Sequence, residues 1–95
     1  MKRFALLHIG FEKPAPEDMA KWGEWFASIR DATVENIGFA GGREVTRSGV
    51  DDLGWDRDCL TGLTIVEAED IDAAQAMAET CPFITAIRVY ELRSH

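Results

Sequence analysis

Arg3-Phe4-Ala5-Leu6-Leu7-His8-Ile9-Gly10 is the stretch on which the reading of the fold turns. Side chains alternate across a strand, so Ala5, Leu7 and Ile9 form one apolar face, and Phe4, Leu6 and His8 form the other. A strand apolar on both faces needs cover on both, so helices are expected on one side and something else on the other. Pro14-Ala15-Pro16 breaks the strand. Pro16 suits the first position of a helix, and Glu17 and Asp18 favour the positive end of its dipole. Met19, Trp22, Phe26, Ile29 and Thr33 then recur every three or four residues. Trp25 widens this stripe, while Lys21, Glu24, Asp31 and Glu35 lie opposite. Gly38 is the expected helix stop.

A second strand is expected over residues 39–46, where Gly41-Gly42 marks a bulge or a close backbone approach. Residues 48–58 read as a loop broken by Gly49 and Gly54 and holding Trp55. A third strand over residues 59–67 leads to Asp70, an N-cap for a helix over residues 71–80. From that helix Ile71, Ala74, Met77, Ala78 and Cys81 can face a sheet, and Pro82 ends it. The last strand, residues 85–93, alternates Ile87 and Val89 with Arg88, Tyr90 and Leu92. The order is βαββαβ. Right-handed crossovers turn it into an α+β, ferredoxin-like fold: a four-stranded antiparallel sheet with both helices on one face. The other face would expose Phe4, Leu6, Tyr90 and Leu92. A second copy covering that apolar patch would make a homodimer with an α/β-barrel interior.

Ninety-five residues hold one domain, residues 1–95, with a modest core. A net charge of −7 opposes binding to nucleic acid or anionic lipid, but leaves room for a local basic pocket. Cys59 and Cys81 are far apart and are read as free thiols. A metal site is not expected, since only His8 and His95 could join them. No cofactor is expected either. The apolar run after Lys2-Arg3 is short, contains His8 and lacks a cleavage site, and no stretch is long enough to span a bilayer. A cytoplasmic location is therefore expected.

Lys2 to Gly10, Pro16-Glu17-Asp18-Met19, the run from Gly62 to Ala74, Cys81-Pro82-Phe83 and Val89-Tyr90-Glu91-Leu92-Arg93 together resemble the YCII-related family, including its DGPF-type branch. The resemblance implies a dimeric α/β-barrel on the ferredoxin-like fold, a scaffold that hosts isomerases, monooxygenases, dechlorinases and binding modules. The DGPF tetrapeptide is absent, and the loop around residues 51–56 stands in its place. One branch of the family is proposed to use a His–Asp pair. Met19 stands at the His position and Cys81 at the Asp position, so the dyad is not carried over.

His8 is the candidate catalytic acid/base, because its ordinary pKa near 6.5 suits proton transfer near neutrality. Arg88 and Tyr90 are expected on the same side, where a guanidinium and a phenol would hold a small organic acid or an enolic oxygen. Trp55 and Asp56, on the longest loop, could close over a small anionic or aromatic ligand, and Glu12 could serve at the mouth. Each has a plainer alternative: an interface histidine, an Arg88–carboxylate pair across a dimer, a tryptophan anchoring its loop, a solvated glutamate. Trp22, Trp25 and Phe26 at helical spacing read as core, Cys81 as structural, and the acidic run at residues 67–72 as helix capping. The resulting expectation is a cofactor-free isomerase or lyase that binds a small molecule as a homodimer. The alternative is an accessory or regulatory dimer without an active site.

Overall fold

The computed structural model describes residues 1–93, so His95 lies outside the described residues. The elements are β1 (Lys2–Ile9), α1 (Pro16–Ser28), a 3-10 turn (Arg30–Ala32), β2 (Thr33–Gly38), β3 (Gly42–Thr46), β4 (Gly49–Leu53), β5 (Leu60–Ala68), α2 (Ile71–Glu79) and β6 (Ala86–Glu91). One antiparallel sheet has the order β2-β5-β1-β6, and β3 pairs with β4 alone. Without that hairpin the chain runs βαββαβ, the expected α+β, ferredoxin-like arrangement. Among the described residues no helix is long and apolar enough to cross a membrane.

β1 sits between β5 and β6 because it is the strand with two apolar faces. Phe4 and Leu6 are fully buried with Trp25, Ile29, Val66, Ala74, Ala78 and Cys81. These two side chains therefore meet the helices, which reverses the expected facing of β1. The uncovered face carries Ala5 and Leu7, with Ile65, Leu63, Tyr90 and Arg88 as their register partners. Sequence alternation could not choose between two apolar faces. The two tryptophans of α1 decide it, because Trp25 fills the volume above the row of Phe4, Leu6 and His8.

α1 opens as expected: the Asp18 carboxylate accepts the Ala15 N–H at 3.0 Å. It ends ten residues before Gly38, at Ser28. Hydroxyls take its last carbonyls, Ser28 Oγ donating to Trp25 O at 2.6 Å and Thr33 Oγ1 to Ile29 O at 2.9 Å. Thr33, which fits the helical stripe, is thus a cap, and the second strand of the sheet is residues 33–38 rather than 39–46. At the second helix the expectation holds, with Asp70 Oδ1 accepting the Ala73 N–H at 2.9 Å. There Ala74, Ala78 and Cys81 are buried while Ile71 stays exposed.

The segment read as the end of a strand and a loop forms the β3–β4 hairpin. Val45 faces Val50 and Arg43 faces Asp52, with an ion pair at 3.0 Å in the second case. Gly49, at φ +146°, closes the turn. Both valines are largely exposed, because among the described residues the two strands of this hairpin pack mainly on each other. It projects as an arm and accounts for a radius of gyration of 14.4 Å, against about 12 Å for a compact chain of this length.

Candidate functional site

One row across the helix-facing side of the sheet reads Gly38, Gly62, His8, Ile87. The neighbouring row reads Asn36, Thr64, Leu6, Val89. Two side-chain-free positions beside His8 leave a hollow under α1. The result is a cleft of about 290 Å³ lined by His8, Trp22, Phe26, Asn36, Gly62 and Thr64 among others. Trp22 and Phe26 form its wall, with ring centroids 5.8 Å apart and planes canted by 33°. The two glycines differ. A Cβ on Gly38 would meet nothing within 4 Å, whereas one on Gly62 would sit 2.5 Å from the carbonyl oxygen of Ile37. The Gly62 position is closed to any larger residue by the β2 backbone.

His8 is 9% exposed and Thr64 1%. His8 Nε2 and Thr64 Oγ1 are hydrogen-bonded at 2.8 Å. The imidazole is packed edge-on against Trp22 and Trp25, with centroids at 5.4 and 5.6 Å. Trp25 is fixed in turn by donating its Nε1–H to Met77 O at 2.9 Å, a bond that ties α1 to α2. His8 Nδ1 is buried and has no hydrogen-bond partner among the described residues. Desolvation of the buried ring drives the His8 pKa down from 6.5 to about 4. The resting ring is neutral at pH 7.

That shift has a stability consequence. The unfolded chain takes up the His8 proton near pH 6.5, but the folded one only near pH 4. Stability from this group is therefore complete above about pH 6.5 and is lost as the pH falls towards 4. Between pH 7 and 4.5 the parent is expected to lose about 2 kcal/mol more than His8→Gln. Urea unfolding of both proteins at the two pH values measures it, and equal losses would contradict the buried neutral ring. The comparison cancels the carboxylates, which are common to both.

The other expected site residues do not converge on His8. Arg88 pairs with Leu7 and Tyr90 with Ala5 in the register of β1 and β6, so both lie on the uncovered face with the sheet between them and His8. The expected trio is not one site. Trp55 packs on Phe11, centroids 5.6 Å apart, over a smaller apolar pocket of about 130 Å³ at the foot of the hairpin. Asp56 staples its own loop, its Oδ1 accepting from Asp58 N at 2.9 Å and its carbonyl from Phe11 N at 2.7 Å. Glu12 pairs with Arg57 and lines a separate cleft with Asp18, Lys21 and Phe83.

Of the positions that stand for the family's dyad, Met19 is exposed and Cys81 is buried, its thiol pushed up to about 12 by desolvation. Neither supplies an acid or a base near neutral pH. Both cysteines are free.

Thr64, Asn36 and Gly62 carry no role in the sequence reading, Gly38 is read there as a helix stop, and Trp22 and Phe26 as core alone. The usable signal was parity: Gly62 and Thr64 share with Val66 the helix-facing side of β5, where large apolar residues are the rule.

No curated protein matches the chain. Among solved structures it is similar to 5-chloro-2-hydroxyhydroquinone dehydrochlorinase (TftG) from Burkholderia phenoliruptrix AC1100, in complex with 2,5-dihydroxybenzoquinone. The TM-score is 0.56 at 16% identity, with 98% of this chain and 95% of that chain covered. That likeness is one of fold. The family model of the YCII-related domain matches residues 15–94, from the start of α1 to beyond β6. On that match, which spans most of the chain and both helices, the protein belongs to the YCII-related domain family.

Proposed function

We propose that the cleft beside His8 binds a small organic molecule and that the His8–Thr64 pair exchanges a proton with it, in the manner of a cofactor-free isomerase or lyase. The observation that carries this reading is the buried His8–Thr64 hydrogen bond at the wall of an aromatic cleft floored by glycine. A neutral histidine can accept a proton. With Nδ1 shielded, exchange runs through Nε2 and the hydroxyl bonded to it. In the tautomer with its proton on Nδ1, Nε2 is the bare acceptor: a proton leaving an acidic C–H or O–H of the ligand would pass to Thr64 Oγ1, whose own proton moves to Nε2. It would return to another ligand atom in an isomerisation, or depart with the leaving group in an elimination. Asn36, at the cleft, could donate its amide N–H to the oxygen on which charge develops. The similar fold of a dehydrochlorinase holding a quinone supports chemistry of this type on an oxygenated ring.

The uncovered sheet face, with Ala5, Leu7, Leu63 and Ile65 at its centre, supports a homodimer closed through that face. Arg88 and Tyr90 belong to that surface, so the grip on an organic acid expected of them is replaced by an interface role.

The test is a binding titration of hydroquinone followed by the indole N–H resonance of Trp22, which lines the cleft and is present in the parent and in the variant. The parent is expected to show a saturable shift, and His8→Ala to lose affinity at least about tenfold while staying folded. Unchanged affinity in His8→Ala would remove His8 from the site. A parent that does not respond at all would favour the accessory-module reading.

A further inference from the structure

We infer that the ligand of the His8 cleft is an uncharged planar ring with a hydrogen-bonding oxygen or nitrogen on its edge, lying on the Gly38–Gly62 floor against the Trp22–Phe26 wall. The inference rests on the reading of the cleft as a ligand site and adds the class of ligand. Three features carry it.

The first is shape. On the sheet side the cleft is lined by two glycines, which put no side chain into it. On the helix side it is bounded by the indole and phenyl rings of Trp22 and Phe26. A side-chain-free floor beside aromatic rings favours a flat ring over a chair-shaped or branched one. Its volume of about 290 Å³ lies at the small end of ligand clefts, which begin near ~300 Å³. One ring with its substituents fits that space better than a nucleotide does.

The second is charge. Among the described residues, the cleft lining contains no lysine, arginine, aspartate or glutamate; His8 is its one titratable side chain. An anion placed there would lose water and gain no counter-charge, which is unfavourable. The chain's net charge of −7 adds a second term of the same sign. The expectation of an anionic ligand depended on Arg88, which the register puts on the other side of the sheet.

The third is the edge. Asn36 offers both an amide donor and a carbonyl acceptor, and Thr64 Oγ1 can make a bond beyond its one to His8. Both lie in the row next to the glycine floor, so they meet the rim of a ring resting on it.

Phenol, benzoate and cyclohexanol probe these terms: benzoate keeps the flat ring but carries an anionic, acceptor-only edge, and cyclohexanol keeps the hydroxyl but loses planarity. The titration follows the indole N–H resonances of the three tryptophans of the intact protein. Phenol is expected to shift the Trp22 indole saturably, and the other two to bind at least about tenfold more weakly. Gly38→Val should abolish the phenol response, since Gly38 lines the cleft and a Cβ there meets nothing within 4 Å, so the added bulk takes up ligand space. Asn36→Leu should weaken it about fivefold.

Benzoate or cyclohexanol binding as tightly as phenol would overturn the ligand class and leave the cleft as a site. A phenol shift unaltered in both variants would overturn the location. No response to any of the three would overturn the class and the site together.

Discussion

Replacing Trp25 by alanine is expected to destabilise the protein by about 3–5 kcal/mol, a large share of the roughly 5–15 kcal/mol that holds a small domain together. Trp25 is 3% exposed and belongs to the same cluster as Phe4, Leu6 and Val66. Truncation opens a cavity between α1 and the sheet, and it removes the indole bond to Met77 O that ties the two helices together, leaving that carbonyl with the Thr80 hydroxyl as donor. It also removes one of the two aromatic edges that hold the His8 ring. Urea unfolding followed by far-ultraviolet circular dichroism gives the number. A loss under 1 kcal/mol would mean that the helix layer is held by something other than this residue. Trp22→Ala should cost less, because Trp22 is only partly buried and its outer face is in the cleft.

The second large effect is local. Gly62→Ala places a Cβ 2.5 Å from the Ile37 carbonyl oxygen and 3.2 Å from Gly38 Cα, both of them backbone atoms that cannot rotate away. The C-terminal end of β2 must move off β5, at a cost of about 1–3 kcal/mol. The expected signature in hydrogen exchange is loss of protection at the amides of residues 36–39, including the Phe39 N–H that now bonds Thr61 O at 2.9 Å. The β1–β6 pairing should keep its protection. The cleft loses its floor in the same step, so ligand response should vanish too. Gly38→Ala, one strand over, has free space and should leave exchange unchanged. Equal behaviour of the two alanine variants would contradict the close approach of β2 to β5.

These effects show how far the sequence could be followed. Alternation in β1, the Asp70 cap and the apolar run of β5 are local signals, and each became the expected element. The end of α1 was not legible, because Thr33 satisfies helical spacing while its hydroxyl serves the Ile29 carbonyl. β2 was missed for a related reason: Val34-Glu35-Asn36-Ile37 is a short edge strand with no burial pattern to separate it from a helix tail. In the arm, Gly49 looked like a loop breaker and is the turn of a hairpin.

The candidate site was legible at one residue, His8. Its partners are set by register across three strands, which spacing along the chain does not report. The same register divides His8 from Arg88 and Tyr90, since a shift of one residue changes the face of every side chain on β6.

The central claim is that the His8 cleft is a ligand site, and a crystal structure of the protein grown with phenol tests it most directly. The expected result is a ring on the Gly38–Gly62 floor, its oxygen within hydrogen-bond reach of Thr64 or Asn36, and the His8–Thr64 bond intact. A cleft filled by side chains of this chain or of a second copy, with His8 Nδ1 bonded to a protein acceptor, would contradict it and make His8 a structural residue.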